Sequence, residues 1–115
     1  MATEGRSLKR RHLIYYLEII DRESGALLGH LVDITTKGIK LVSKKPIETG
    51  KHFKLQMLLP EDYFQERSVK FEAESLWSTN DINPDFYDTG FKLSHMDQGA
   101  FDIIVTLINQ LGFNN

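Results

Sequence analysis

Between residues 13 and 93 apolar, β-branched and aromatic side chains gather in short runs, several alternating with a period of two, that glycine, proline or acidic and amide residues cut off. That period sends successive side chains to opposite faces of an extended chain, so it commits most of the sequence to half-buried β-strands. Six such runs are predicted, at residues 13–21, 26–34, 39–43, 52–59, 69–77 and 86–93. The run 52–59 places Phe53, Leu55, Met57 and Leu59 on one face and Lys54 and Gln56 on the other. The run 69–77 alternates best, with Val69, Phe71, Ala73 and Trp77 opposite Lys70, Glu72 and Glu74. Arg22 to Gly25, Pro46 to Gly50 and Asn80 to Pro84 carry turn chemistry, and the charged, aromatic segment 60–67 reads as a loop.

After Asp97 the period changes. Phe101, Ile104, Val105, Ile108 and Leu111 recur at three- and four-residue steps, which is one face of a helix, with Asp97 as its N-cap and Gly112 just past its end. Six short antiparallel strands followed by one helix predict a small closed barrel or a sandwich, with the helix covering one opening or side.

The chain has 115 residues, the size of one domain, and its 41% apolar and 26% charged content is that of a globular protein. It contains no cysteine, which excludes disulfides, thiolate metal sites and cysteine nucleophiles. The apolar stretch near the amino terminus is soon broken by Glu18 and Asp21, unlike a signal peptide, and no run is long enough to span a bilayer. A cytoplasmic location without membrane insertion is expected.

Enzyme chemistry finds no support. His12, His30, His52 and His95 show no metal-ligand spacing, and there is no nucleophile elbow, phosphate-binding loop or dinucleotide fingerprint. No catalytic residue, metal or cofactor is expected.

Charge is distributed unevenly. Residues 1–12 hold Arg6, Lys9, Arg10 and Arg11 against Glu4, and residues 37–54 hold Lys37, Lys40, Lys44, Lys45, Lys51 and Lys54 against Glu48. Blocks of one sign in a chain of net charge −2 suggest an anionic partner at one face. For 37–54, lysines guarding strand edges are at least as good an explanation. The first block is read as a flexible basic arm, residues 1–12, ahead of a single domain at 13–112.

Two short elements can carry ligand chemistry. Arg6 and Arg10 are spaced by four with Arg11 beside the second, and Asp33, Thr35 and Gly38 lie within one six-residue stretch. If Arg22 to Gly25 closes a hairpin, Asp21 faces Ala26, Ile14 faces Asp33 and His12 faces Thr35. The arginines then reach the same end of the sheet as the Asp-Thr-Gly segment. Arginine forks suit phosphate oxygens and the O6/N7 edge of guanine. A carboxylate accepts from the N–H groups of guanine's Watson–Crick edge, and a hydroxyl adds a contact. Glycine permits a positive φ or close backbone approach. These residues equally describe a local turn and a basic tail.

At these positions the sequence resembles a PilZ domain, the bacterial receptor domain for cyclic di-GMP. The family pattern is R-x-x-x-R near the amino terminus and, one hairpin later, D/N-x-S-x-x-G. Here Arg6 and Arg10 match the first, and Asp33, Thr35 and Gly38 the second, with threonine in place of serine. The resemblance extends from about Arg6 to Leu111 and includes Trp77, the Gly90-Phe91 pair and the closing helix. It implies a six-stranded antiparallel β-barrel with a carboxyl-terminal helix, a split barrel of the PilZ kind. It implies that Arg6 and Arg10, or Arg11 if the segment shifts, clamp phosphates and guanine. Asp33 and Thr35 then read a guanine edge, and Gly38 lets the loop fit. The implied partners are cyclic di-GMP and a downstream protein in a motility, biofilm or polysaccharide output. The alternative is a PilZ-like adaptor that binds protein without nucleotide. DNA or RNA binding is not expected, because the basic strand residues lack interleaved aromatics.

Overall fold

The computed structural model describes residues 17–61 and 64–111. Six strands appear in order, β1 (Glu18–Asp21), β2 (Leu27–Ile34), β3 (Gly38–Ser43), β4 (His52–Leu58), β5 (Ser68–Asn80) and β6 (Tyr87–His95), followed by one helix, α1 (Gln98–Leu111). All neighbouring strands are antiparallel, and the sheet closes on itself in the order β1-β2-β3-β6-β5-β4, with β4 returning to β1. Closure leaves no open edge, so the six strands form a barrel and not a sandwich.

The turn at Arg22 to Gly25 forms as its residues predict. Asp21 N donates to Ala26 O at 3.0 Å, Gly25 N donates to Asp21 O at 2.7 Å, and Gly25 takes the left-handed conformation at φ 77°. A bulge between Ile19 and Ile20 then shifts the pairing, so that Ile19 faces Gly29 and Glu18 faces His30. The expected pairs of Ile14 and His12 lie outside the described residues.

Inward-facing Ile19, Leu31, Leu41, Leu55, Met57 and Phe71 fill the barrel and are almost wholly buried. Phe53 and Phe91 meet edge to face, with ring centroids 5.6 Å apart. Asp97 caps α1 as predicted, its Oδ1 accepting from Ala100 N at 2.8 Å. The buried stripe of α1 is Ala100, Ile104, Leu107 and Ile108, whereas Phe101 is 38% exposed and Val105 is half-buried. The core-facing direction is thus turned by about one residue from the predicted face. Small Ala100 enters the core, and bulky Phe101 stays at its rim.

A second correction concerns Trp77. Val69, Phe71 and Ala73 point inward as expected, and Ser75 continues that face. A bulge between Ser75 and Trp77 then opposes Ser75 to Phe91 and Trp77 to Gly90. The extra residue reverses the alternation, so Trp77 stands on the outer wall, 42% exposed. No helix among the described residues is long and apolar enough to cross a membrane.

Candidate functional site

A bulge in β2 builds the site. His30 and Leu31 pair with Val42 and Leu41, but Asp33 and Ile34 pair with Lys40 and Ile39, leaving Val32 as the extra residue. Leu31 and Ile34 both point inward at 0% and 1% exposure, and Asp33 between them is turned out to solvent. Its Oδ1 accepts from Ile34 N at 2.9 Å.

The chain then turns through Thr35 to Gly38. Thr35 Oγ1 accepts from both Lys37 N and Gly38 N at 3.1 Å, and Thr35 N donates to Gly38 O at 2.9 Å. The hydroxyl therefore organises the turn. Thr35→Val is expected to lower stability by about 1–2 kcal/mol, because two backbone donors lose their acceptor, whereas Thr35→Ser should be nearly neutral. Urea unfolding of the two variants distinguishes them.

Gly38 does not use a positive φ; among the described residues only Gly25 and Gly50 do. What it provides is space. A Cβ at Gly38 would stand 2.6 Å from Phe91 O on β6, and a backbone carbonyl in a closed barrel cannot retreat. Gly38→Ala should cost about 1–3 kcal/mol by overpacking, measurable by the same unfolding experiment.

Beside this turn lies an open cleft of about 260 Å³ on the outer wall. Asp33, Thr35, Gly38 and Lys40 line one side, and Leu76, Trp77 and Gly90 the other. Lys40 faces Gly90 across β3 and β6, and Gly90 faces Trp77 across β6 and β5. The indole lies directly on Gly90, where a Cβ would come within 2.4 Å of the ring. The cleft thus combines a carboxylate, a hydroxyl, an ammonium and a partly exposed indole. That set can hydrogen-bond a planar polar edge, attract an anion and pack on an aromatic face.

Three sequence-predicted site residues, Asp33, Thr35 and Gly38, share this cleft. The other three, Arg6, Arg10 and Arg11, lie outside the described residues. Sequence reasoning assigned Lys40 only to a charged run and Trp77 to the core. The β3–β6 pairing sets Lys40 opposite Gly90, and the bulge at Leu76 brings Trp77 to that residue from the other side, which no single-strand pattern reveals. Among the described residues no group of three His, Cys, Asp or Glu is placed to hold a metal.

A scan against protein-family models finds no match, and neither does a search of curated proteins. Solved structures do match. The Bacillus subtilis inhibitor of motility MotI/DgrA superposes with a TM-score of 0.66 at 20% identity, covering 86% of this chain and 49% of that one. The PilZ domain with c-di-GMP of YcgR from Escherichia coli superposes at 0.60 and 13% identity, covering 86% of this chain and 84% of that one. The fold is that of a PilZ domain. The chain spans about half the length of MotI/DgrA.

On the outer wall of this PilZ fold, next to Lys40, Asp88 faces Val42. Burial raises the Asp88 carboxyl above its ordinary range, a hydrogen bond with Asp81 and that residue's like charge add to the rise, and Lys40 opposes it. The folded state therefore holds this proton more tightly than the unfolded chain does. Stability falls as pH rises from the ordinary aspartate range through the elevated value. Asp88→Asn should accordingly be more stable than the parent near neutral pH, and the gain should vanish in acid. Thermal unfolding at the two pH values reads the difference.

Proposed function

We propose that the chain is a receptor domain for cyclic di-GMP, without catalytic activity, that converts ligand binding into a protein–protein signal. The observation that carries this reading is the clustering of Asp33, Thr35 and Gly38 with Lys40 and Trp77 in one open cleft on a PilZ fold. The neighbouring YcgR domain is described with c-di-GMP. In the proposed complex the Asp33 carboxylate accepts from a guanine Watson–Crick edge. Lys40 adds positive charge, and the Trp77 ring provides an apolar face. Arg6 and Arg10, with Arg11 adjacent, supply the phosphate and guanine clamp from the amino-terminal side. A receptor for an internal messenger acts in the cytoplasm.

Calorimetric titration with cyclic di-GMP, with GTP and cyclic GMP as controls, tests the proposal. Saturable binding near the micromolar range, about −8 kcal/mol, is expected for cyclic di-GMP alone. Trp77 is the only tryptophan of the chain, so its fluorescence gives a second readout located in the cleft. Absence of heat and of fluorescence change at near-millimolar ligand rejects the receptor reading and leaves the protein-binding adaptor.

A further inference from the structure

The basic run at residues 37–54 is split by the fold. Lys40 lines the cleft, Lys51 sits 5.0 Å from the Phe53 ring centroid, and Lys54 faces Glu72 across β4 and β5. Lys44 and Lys45 go elsewhere, to the mouth of a second hollow of about 610 Å³ on the outer wall of β2 and β3. Its walls are mostly apolar, built by Leu27, Leu28, Val42, Pro46, Ile47 and Phe86, with His30 and Ser43 also lining it. Leu27 is 50% exposed, a large apolar side chain left to water. Ser43 Oγ donates to Lys45 O at 2.7 Å and so fixes the corner that carries the two ammonium groups. Among the described residues no acidic side chain lines the hollow and neither lysine has an ion-pair partner.

The loop from Asp81 to Phe86 adjoins this hollow, because Phe86 ends the one and walls the other. The loop carries Ile82 at 101% exposure, with Asp81 immediately before it and Asp85 three positions after. Its shape is tied down. Asp81 N donates to Phe86 O at 2.9 Å and Phe86 N to Asn83 O at 3.0 Å. Asn83 N donates to Asp81 Oδ2 at 3.2 Å and Asp85 N to Asn83 Oδ1 at 3.0 Å. An apolar knob with the exposed Asp85 beside it is therefore held out beside a hollow rimmed by lysines. Within one chain the two do not meet, since Ile82 is wholly exposed. A twofold axis passing between the two patches would carry each loop onto the other copy's hollow. Two adjacent, mutually complementary patches are what an isologous contact requires.

We propose that this wall is a self-association surface, at which two copies of the chain pair by seating Ile82 of each in the hollow of the other. Asp85 then faces Lys44 and Lys45, while the Asp81 carboxyl stays with Asn83 N and Asp88 of its own chain. The proposal stands independently of nucleotide binding.

Sedimentation equilibrium of the full chain, from micromolar to millimolar concentration, tests it. The parent chain is expected to show a monomer–dimer equilibrium that weakens with added salt. Ile82→Asp, an exposed loop change, should weaken pairing more than tenfold. So should Lys44→Glu/Lys45→Glu and, separately, Asp85→Lys, each by setting like charges face to face. Mixing these last two variants one to one should restore a dimer, because in the mixed pair the side chain at position 85 of each loop meets a rim of opposite charge. A parent chain that stays monomeric at all concentrations overturns the proposal, whatever else the hollow binds. So does a dimer that survives Ile82→Asp, or a mixture that fails to pair.

Discussion

Under the proposed function, Asp33→Ala is expected to weaken cyclic di-GMP binding by about tenfold or more and to leave the unfolding midpoint nearly unchanged. The fold should tolerate the change because Asp33 is exposed and its described hydrogen bond runs only to the adjacent Ile34 N. The bulge that turns Asp33 outward is set by Leu31 and Ile34, both buried, and neither is touched. Binding should suffer because a carboxylate accepting from guanine N–H groups makes hydrogen bonds worth about 1.5–3 kcal/mol. The direction is diagnostic. In a site that merely attracts anions, removal of a negative charge from beside Lys40 would strengthen binding. Calorimetry on the variant decides, and tighter binding would remove Asp33 from the guanine-reading role.

Replacement of either arginine of the proposed clamp should have an effect of the same size or larger. Arg6→Ala and Arg10→Ala each remove a guanidinium fork able to engage a phosphate or a guanine edge through two hydrogen bonds, so a loss of about tenfold or more is expected for each. Lys9→Ala, from the same segment, removes only a point charge and should cost far less. The contrast between lysine and arginine separates geometric recognition from simple attraction. Equal, mild losses for Lys9 and Arg10 would exclude the clamp. Arg11→Ala completes the series. A larger loss there than at Arg10 would make Arg11 the second clamp residue.

Strand positions, turn positions and the helix were legible because each rests on chemistry within a few residues. The alternation in 52–59 and 69–77, Gly25 at its turn and Asp97 at its cap all speak locally, and β4, β5, the first hairpin and α1 form where they predict. The grouping of Asp33, Thr35 and Gly38 was legible for the same reason, since one turn holds all three. Sequence order also supplied the arginine pair, whose placement falls outside the described residues.

Other features were decided only by the closed barrel. Sequence alternation sent Trp77 to the core, and one bulge sent it to the outer wall beside Lys40 and Asp33. The left-handed conformation open to Gly38 goes unused, because what constrains that residue is the Phe91 carbonyl of a strand more than fifty positions away. The helix face turned by one residue to put Ala100 in the core. Each outcome depends on where strands distant in sequence must meet for six of them to close. A single inserted residue reverses a period of two from that point on, and its position is set by hydrogen bonds to partners no local pattern contains.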